Sequence, residues 1–285
     1  GGLFAIIDIS NPRSPIGVSS VDTPGSAKSL TVAGHYAYLA DWNSGLQVVD
    51  LADVRSPRIV GHVATPGKAE NLAISGHYAY VADIDYGLHV VDIANPLSPQ
   101  IVGNETPQPA ARAFGVAVLG NRAYVAGRGL RVVDISDPSH PATLGSMSMP
   151  GGGWDVAVSG TFAYVADLGY GFHVVDVSDP ANPRRVGRVD TGSSAYDVAV
   201  SWPYAYVADW TYGLQVFDVS GTDLVGQVLP GQSIGVVAPG VDAKGRPHAV
   251  RLYSVASPAR GEDGHGRIIS TTVKRTIDEH WDTHK

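Results

Sequence analysis

Along the first 220 residues, short runs dominated by Val, Ile, Leu and Ala alternate with clusters of Gly, Pro, Asp and Asn. The runs "LQVVDL", "LHVVDI", "LRVVDI" and "FHVVDV" have the length, the β-branched content and the Gly/Pro boundaries of strands. No segment carries a ten-residue apolar stripe at a spacing of 3.6, so helices are not predicted. One copy resolves into four strands: "WDVAVS" (154–159), "FAYVAD" (162–167), "FHVVDVS" (172–178) and "RRVGRVD" (184–190).

The unit recurs. Asp8, Asp50, Asp92, Asp134, Asp176 and Asp218 stand 42 residues apart, and so do Gly45, Gly87, Gly129, Gly171 and Gly213. A period in this range belongs to propeller blades or two-helix repeats, and the strand pattern selects the propeller. The turn chemistry agrees. Tight links such as "SGHY" join strands one and two, "DIDYG" joins two and three, and "NPLSP" or "DPSHP" follows strand three. Asp or Asn before Pro favours a turn there, and Gly at the hairpin suits a positive φ or a close backbone approach. The prediction is an all-β fold, a β-propeller of four-stranded blades, six in number.

The motif "GL-x-VVD-[IV]" followed by "DP-x-x-P-x-x-VG" resembles the LVIVD repeat over residues 1 to about 230. The resemblance implies a propeller and an extracytoplasmic or cell-surface setting. It brings no shared catalytic residue, so no catalytic residue is expected in the propeller.

The repeated aspartates read as structural. Each accepts hydrogen bonds from its own turn and fixes the strand exit. A second series, Asp41, Asp83, Asp167 and Asp209, opens the hairpin turn and becomes Gly127 where that turn is shorter. Function is expected where copies differ. The links into each first strand and the hairpins between strands two and three share one face, and their lengths vary around "PQPAARAFG" and "AGRGL". That face carries Trp42, Tyr86, Tyr170, Trp210 and Tyr212 in its hairpins. At the entries to the innermost strands lie Lys28, Glu70, Phe114, Trp154 and Tyr196, followed by Ser29, Asn71, Gly115, Asp155 and Asp197. Aromatics with polar neighbours around a channel mouth suit a glycan or a peptide. The alternative is that these rings pack between blades.

Composition narrows the classes. The chain has 285 residues, 44% of them hydrophobic and 16% charged, enough apolar content for a core. A net charge of −7 without a basic stripe argues against nucleic acid as a partner. The absence of cysteine excludes disulfides and thiolate metal sites. No apolar run reaches eighteen residues, so no membrane span is predicted. The opening "GGLFAIID" reads as cut from a longer chain. His89 and His173 occupy a position that also takes Gln47, Arg131 and Gln215, which reads as a polar edge. His280 and His284 are only two candidate ligands, and no metal site is expected.

After about residue 230 the text changes. "GQSIGV-x-x-PG", "GRPH" and "RLYSVAS" resemble the flavin-binding barrel of ferredoxin–NADP reductase-like proteins, over 231–285. The resemblance implies that Arg251 pairs with the FAD pyrophosphate, Tyr253 lies along the flavin and Ser254 hydrogen-bonds near its reactive nitrogen. "TTVKR" resembles the next strand, with Lys274 or Arg275 approaching phosphate. The preceding barrel strands and the nicotinamide domain are missing, so FAD binding is expected only if the missing barrel were present. Residues 233–257 are alternatively expected to supply the first two strands of the opening blade and close the ring. The functional expectation is a noncatalytic binding or scaffolding propeller. The rival is a truncated flavin-dependent oxidoreductase.

Overall fold

A computed structural model describes residues 2–106 and 112–220, with the backbone of 251–252 and 275–276. Strands β1 (Gly2–Asp8) and β2 (Ile16–Thr23) form a two-stranded antiparallel sheet. Four four-stranded meanders follow. The first is β3 (Ser29–Ala33), β4 (Tyr36–Ala40), β5 (Leu46–Asp50) and β6 (Arg58–Val63). The second is β7 (Ala69–Ser75), β8 (Tyr78–Asp83), β9 (Gly87–Asp92) and β10 (Gln100–Glu105). The third is β11 (Ala113–Leu119), β12 (Arg122–Gly127), β13 (Gly129–Asp134) and β14 (Ala142–Ser148). The fourth is β15 (Gly153–Ser159), β16 (Phe162–Asp167), β17 (Gly171–Asp176) and β18 (Arg184–Val189). Three further strands, β19 (Ala195–Ser201), β20 (Tyr204–Asp209) and β21 (Gly213–Asp218), begin the sixth unit.

The expected blades are therefore present, with the first reduced to its third and fourth strands. The innermost strands β3, β7, β11, β15 and β19 are successive neighbours. Among the described residues, β1 has a ladder partner only in β2. Strand β22 (Arg251–Leu252) pairs with β23 (Arg275–Thr276), Arg251 opposite Thr276 and Leu252 opposite Arg275. The ring-closing expectation falls on residues otherwise outside the described ones, as do Tyr253, Ser254, Lys274, His280, His284 and residues 107–111.

The core lies between sheets. Each apolar cluster joins consecutive blades, so the middle strands are buried on both faces and read as nearly continuous apolar runs. The repeated "AY" of the second strand explains the fit. Ala points to the preceding blade and Tyr to the following one. Tyr80 thus shares a cluster with Ala123, Tyr124 with Ala163, and Tyr164 with Ala205. Large meets small at every boundary. Burial of each such large side chain contributes about 1.5–3 kcal/mol.

The outer edges touch through the "VG" glycine. A Cβ on Gly61, Gly103 or Gly145 would run into the carbonyl of Pro96, Pro138 or Pro180, each in the turn of the next blade. The "DP" or "NP" turn and the "VG" of the preceding copy are therefore one contact, which is why the motif holds both.

The first aspartate series serves turns throughout, and in the second Asp83 and Asp209 accept hairpin N–H groups. Asp8, Asp50, Asp92, Asp134, Asp176 and Asp218 each accept the N–H of the residue two positions on, at 2.8–3.0 Å. In the second series, Asp83 accepts four backbone N–H groups, from Gly67, Lys68, Asp85 and Tyr86, at 2.9–3.1 Å. It fastens the hairpin to the link that enters its own blade.

Candidate functional site

The inner strands enter their sheets with an extra residue. In β7, β11, β15 and β19 the register slips between the first and third residues. The residue passed over is Glu70, Phe114, Trp154 or Tyr196. A β-bulge leaves its extra residue outside the ladder and re-aims its side chain. Every aromatic proposed at the strand entries is thus a bulge residue, turned toward the hairpin face.

Blade rotation brings these rings together. Phe114 and Trp154 stack, with centroids 4.4 Å apart and 15° between planes. Trp154 meets Tyr196 edge-on at 5.4 Å, and Tyr196 lies 5.3 Å from Trp210. The four form one continuous arc over the fourth, fifth and sixth blades. The rings at its strand entries are partly buried, and its end, Trp210, is 77% exposed. Tyr212 (59% exposed) stands in the same hairpin. The inner rings pack across blade boundaries, and the outer ones face solvent.

The aromatics therefore form an arc and not a full ring. On the second and third blades the entries hold Lys28 and Glu70. The Lys28 ammonium sits 4.6 Å from the Trp42 ring centroid and that of Lys68 5.6 Å, cation–π contacts of roughly 0.5–1 kcal/mol each. Trp42 has a left-handed φ of 51° and exchanges backbone hydrogen bonds with Ala69, which ties its hairpin to the next blade. Burial pushes the Glu70 carboxyl up, against the pull of Lys28. Tyr86 and Tyr170 stand apart at half-exposed hairpins, Tyr170 under the Arg188 guanidinium at 5.6 Å.

Of Asp155 and Asp197, expected to orient a ligand at the mouth, the first is buried and the second half-buried. Each follows a bulged aromatic, so alternation turns it toward the channel. Asp155 is buried. It accepts the Val198 N–H on Oδ2 at 3.1 Å and the Asn71 amide on Oδ1 at 3.2 Å, the latter reaching across from the third blade. The gap between them exists because the fourth blade has Gly115 there, where a Cβ would strike Asp155. Burial pushes the Asp155 carboxyl up to about 6, against the hydrogen bonds of Val198 and Asp197. Burial, and then the Asp155 charge, raise Asp197 well above the usual carboxylate range.

The polar-edge reading of His89 and His173 is also corrected. Both are buried, His173 completely, with Nε2 3.5 Å from Asp83 and 3.0 Å from Asp167 respectively. The hairpin and the entry link cover the third strand at that point. Where Gly127 replaces the aspartate, buried Arg131 pairs with Glu105 at 3.3 Å instead, and Glu105 also accepts from Thr143 at 2.6 Å. The position takes several polar types because each has its own partner. Among the described residues no three potential ligands gather for a metal, and no helix is long and apolar enough to cross a membrane.

The repeat model of the LVIVD repeat matches residues 1–23, 24–65, 66–106, 110–148, 150–191 and 192–222, most of the chain. The chain belongs to the LVIVD-repeat family. Solved structures with the same architecture share little sequence with this LVIVD-repeat chain. The β-propeller domain of Cps50 (Swd1) from Myceliophteria thermophila superposes with a TM-score of 0.56 at 14% identity, over 71% of this chain and 73% of its own. The Neurospora crassa Pan2 WD40 domain gives 0.57 at 13%, over 72% and 67%. The computationally designed Ika8 protein gives 0.59 at 11%, over 75% and 64%. Separately, 47 residues are 57% identical to the leaf-type chloroplastic ferredoxin–NADP reductase of Nicotiana tabacum and 51% to that of Spinacia oleracea. This covers 16% of the LVIVD-repeat chain, which spans about an eighth of the length of those reductases.

Proposed function

We propose that this LVIVD-repeat propeller is a noncatalytic binding module, displayed at a cell surface or otherwise outside the cytoplasm, that takes a glycan on its aromatic arc. The observation that carries the reading is the continuous run Phe114–Trp154–Tyr196–Trp210, raised on bulges and ending in an exposed indole. Sugar rings offer apolar C–H faces that stack on such a ledge. A peptide anchors by filling side-chain pockets, and the arc is an open ledge. The pocket lined by Asp176, Asp179 and Arg184 lies at the opposite ends of the strands. A glycan array tests the proposal. Binding that is lost in Trp210→Ala and Trp154→Ala supports it. Capture of peptides alone, through the same residues, would replace the glycan with a peptide, and binding untouched by both substitutions would overturn it.

A second reading, part of a flavin-dependent oxidoreductase, draws on the short reductase match and on the pairing of β22 with β23, two segments that resemble consecutive strands of the flavin barrel. Arg251, Tyr253 and Ser254 would then face FAD. Purified protein with a flavin absorbance band favours this reading, and colourless protein after incubation with FAD removes it.

A further inference from the structure

Of the seven asparagines in the chain, Asn104 alone has Ser or Thr two positions on, in "NET" (104–106). Asn-x-Ser/Thr with x other than Pro is the acceptor pattern for an N-linked glycan. A three-residue pattern arises readily by chance, so its placement in the fold decides. We propose that Asn104 is a glycosylation site, whose Nδ2 takes an oligosaccharide at the outer edge of the third blade. This rests on the reading that the chain is displayed outside the cytoplasm, since asparagine glycosylation marks exported chains.

Strand alternation separates the three residues. Glu105 turns inward and is buried, where Arg131 pairs with it at 3.3 Å and Thr143 donates to it at 2.6 Å. Asn104 and Thr106 turn outward and are exposed. Their side chains meet. Asn104 Nδ2 donates to Thr106 Oγ1 at 3.0 Å, and that hydroxyl donates onward to the Tyr86 carbonyl at 3.0 Å. The hydroxyl lone pair is thus already aimed at the nitrogen to be glycosylated. Strand β10 is outermost in its sheet and pairs with β9 alone among the described residues. An extended edge segment offers an enzyme both side chains together with a free backbone edge.

The other blades lack the pair. The ladder equivalents of Asn104 are His62, Ser146 and Arg188, followed two positions on by Ala64, Ser148 and Asp190. All six are exposed, so this outward position has room for a large adduct. In the reaction, Asn104 Nδ2 attacks the anomeric carbon of an oligosaccharide carried on a lipid diphosphate. The new C–N bond replaces the C–O bond to the diphosphate, which leaves with the electron pair, and one amide proton passes to a base of the transferase. The adduct stands beside the Tyr86 hairpin, at the rim of the face that holds the arc. It covers the β10 edge against pairing with a foreign strand.

The test sends the full chain, behind a cleavable signal sequence, through the secretory pathway of a eukaryotic host. Peptide mass spectrometry should find a glycan on Asn104, released by peptide N-glycosidase with conversion of that side chain to aspartate. Asn104→Gln and Thr106→Ala should abolish it, and Thr106→Ser should retain it. Asn104→Gln keeps the Thr106–Tyr86 hydrogen bond, so it carries the result if Thr106→Ala does not fold. Secreted, folded wild type that is bare at Asn104 overturns the proposal, as does a glycan that persists in Thr106→Ala. In the source organism, a glycosylated chain at the surface supports both the site and the surface reading. A surface chain bare at Asn104 overturns the site alone. A bare cytoplasmic chain whose secreted form is glycosylated removes the surface reading and upholds the acceptor.

Discussion

The indole of Trp154 lies face to face with the ring of Phe114, 4.4 Å away and 15° from parallel, although the two belong to different blades. The contact does two jobs, packing at one edge and presentation at the other. Trp154→Ala should therefore cost both stability, about 1–2 kcal/mol from the lost ring contacts, and glycan affinity. Trp210→Ala, at the exposed end, should leave stability within about 0.5 kcal/mol and still weaken binding at least about tenfold. Thermal melts beside calorimetric titration separate the two effects.

The Tyr–Ala complementarity between sheets predicts opposite errors of volume. Tyr124→Ala empties the space facing Ala163 and should cost about 3–5 kcal/mol. Ala163→Leu overfills the same space and should cost about 1–3 kcal/mol. If the double variant recovers part of either loss in urea unfolding, the two positions share one cavity, as the cluster requires.

Asp83 links pH to the third blade from the acid side. Burial opposes its charge, yet the neighbouring His89 imidazole and the hydrogen bonds from the Asp85 and Gly67 N–H groups outweigh it and hold the carboxyl below its usual value. A lowered folded value means stability that is present above about pH 4 and lost as pH falls through the folded value. Asp83→Asn should abolish this acid dependence. It should also cost about 1–3 kcal/mol at pH 7, because an amide offers one oxygen to four N–H donors. Urea curves at pH 3 and 7 give both numbers.

Gly103 lies under the Pro138 carbonyl of the following blade. Gly103→Ala should push the two outer edges apart and cost about 1–3 kcal/mol. Substitution of Gly120, whose Cβ would meet open space, leaves that edge contact intact. Hydrogen exchange in β10 and in the Asp137–Pro141 turn should rise in the first variant alone.

Much of this was legible in the chain. Strand, hairpin and blade periods follow from Val-rich runs between Gly and Pro, and the turn role of Asp134 and its five counterparts follows from an acceptor placed just ahead of free N–H groups. The arc was legible only as a set of residues. That Phe114 touches Trp154 depends on the rotation between blades, which no local pattern encodes. Asp155 was misplaced because a bulge shifts alternation by one: Trp154 takes the outward direction and its neighbour the channel. The signal was present, since the entry "GWDVAVS" is one residue too long for a plain ladder opposite "FAYVAD". His173 was misread because variety at a position resembles exposure. Here each substitute, Gln47, Arg131 or Gln215, brings its own buried or backbone partner.

The bulge at each strand entry has an engineering consequence. Its side chain owes nothing to the ladder, so residues 70, 114, 154 and 196 form a set that can be randomised together while the strand register stays constant. Neighbouring members touch, so selection from such a library should yield paired solutions at 114 with 154 and at 154 with 196. New specificities would then arise blade by blade, in the order in which the chain winds.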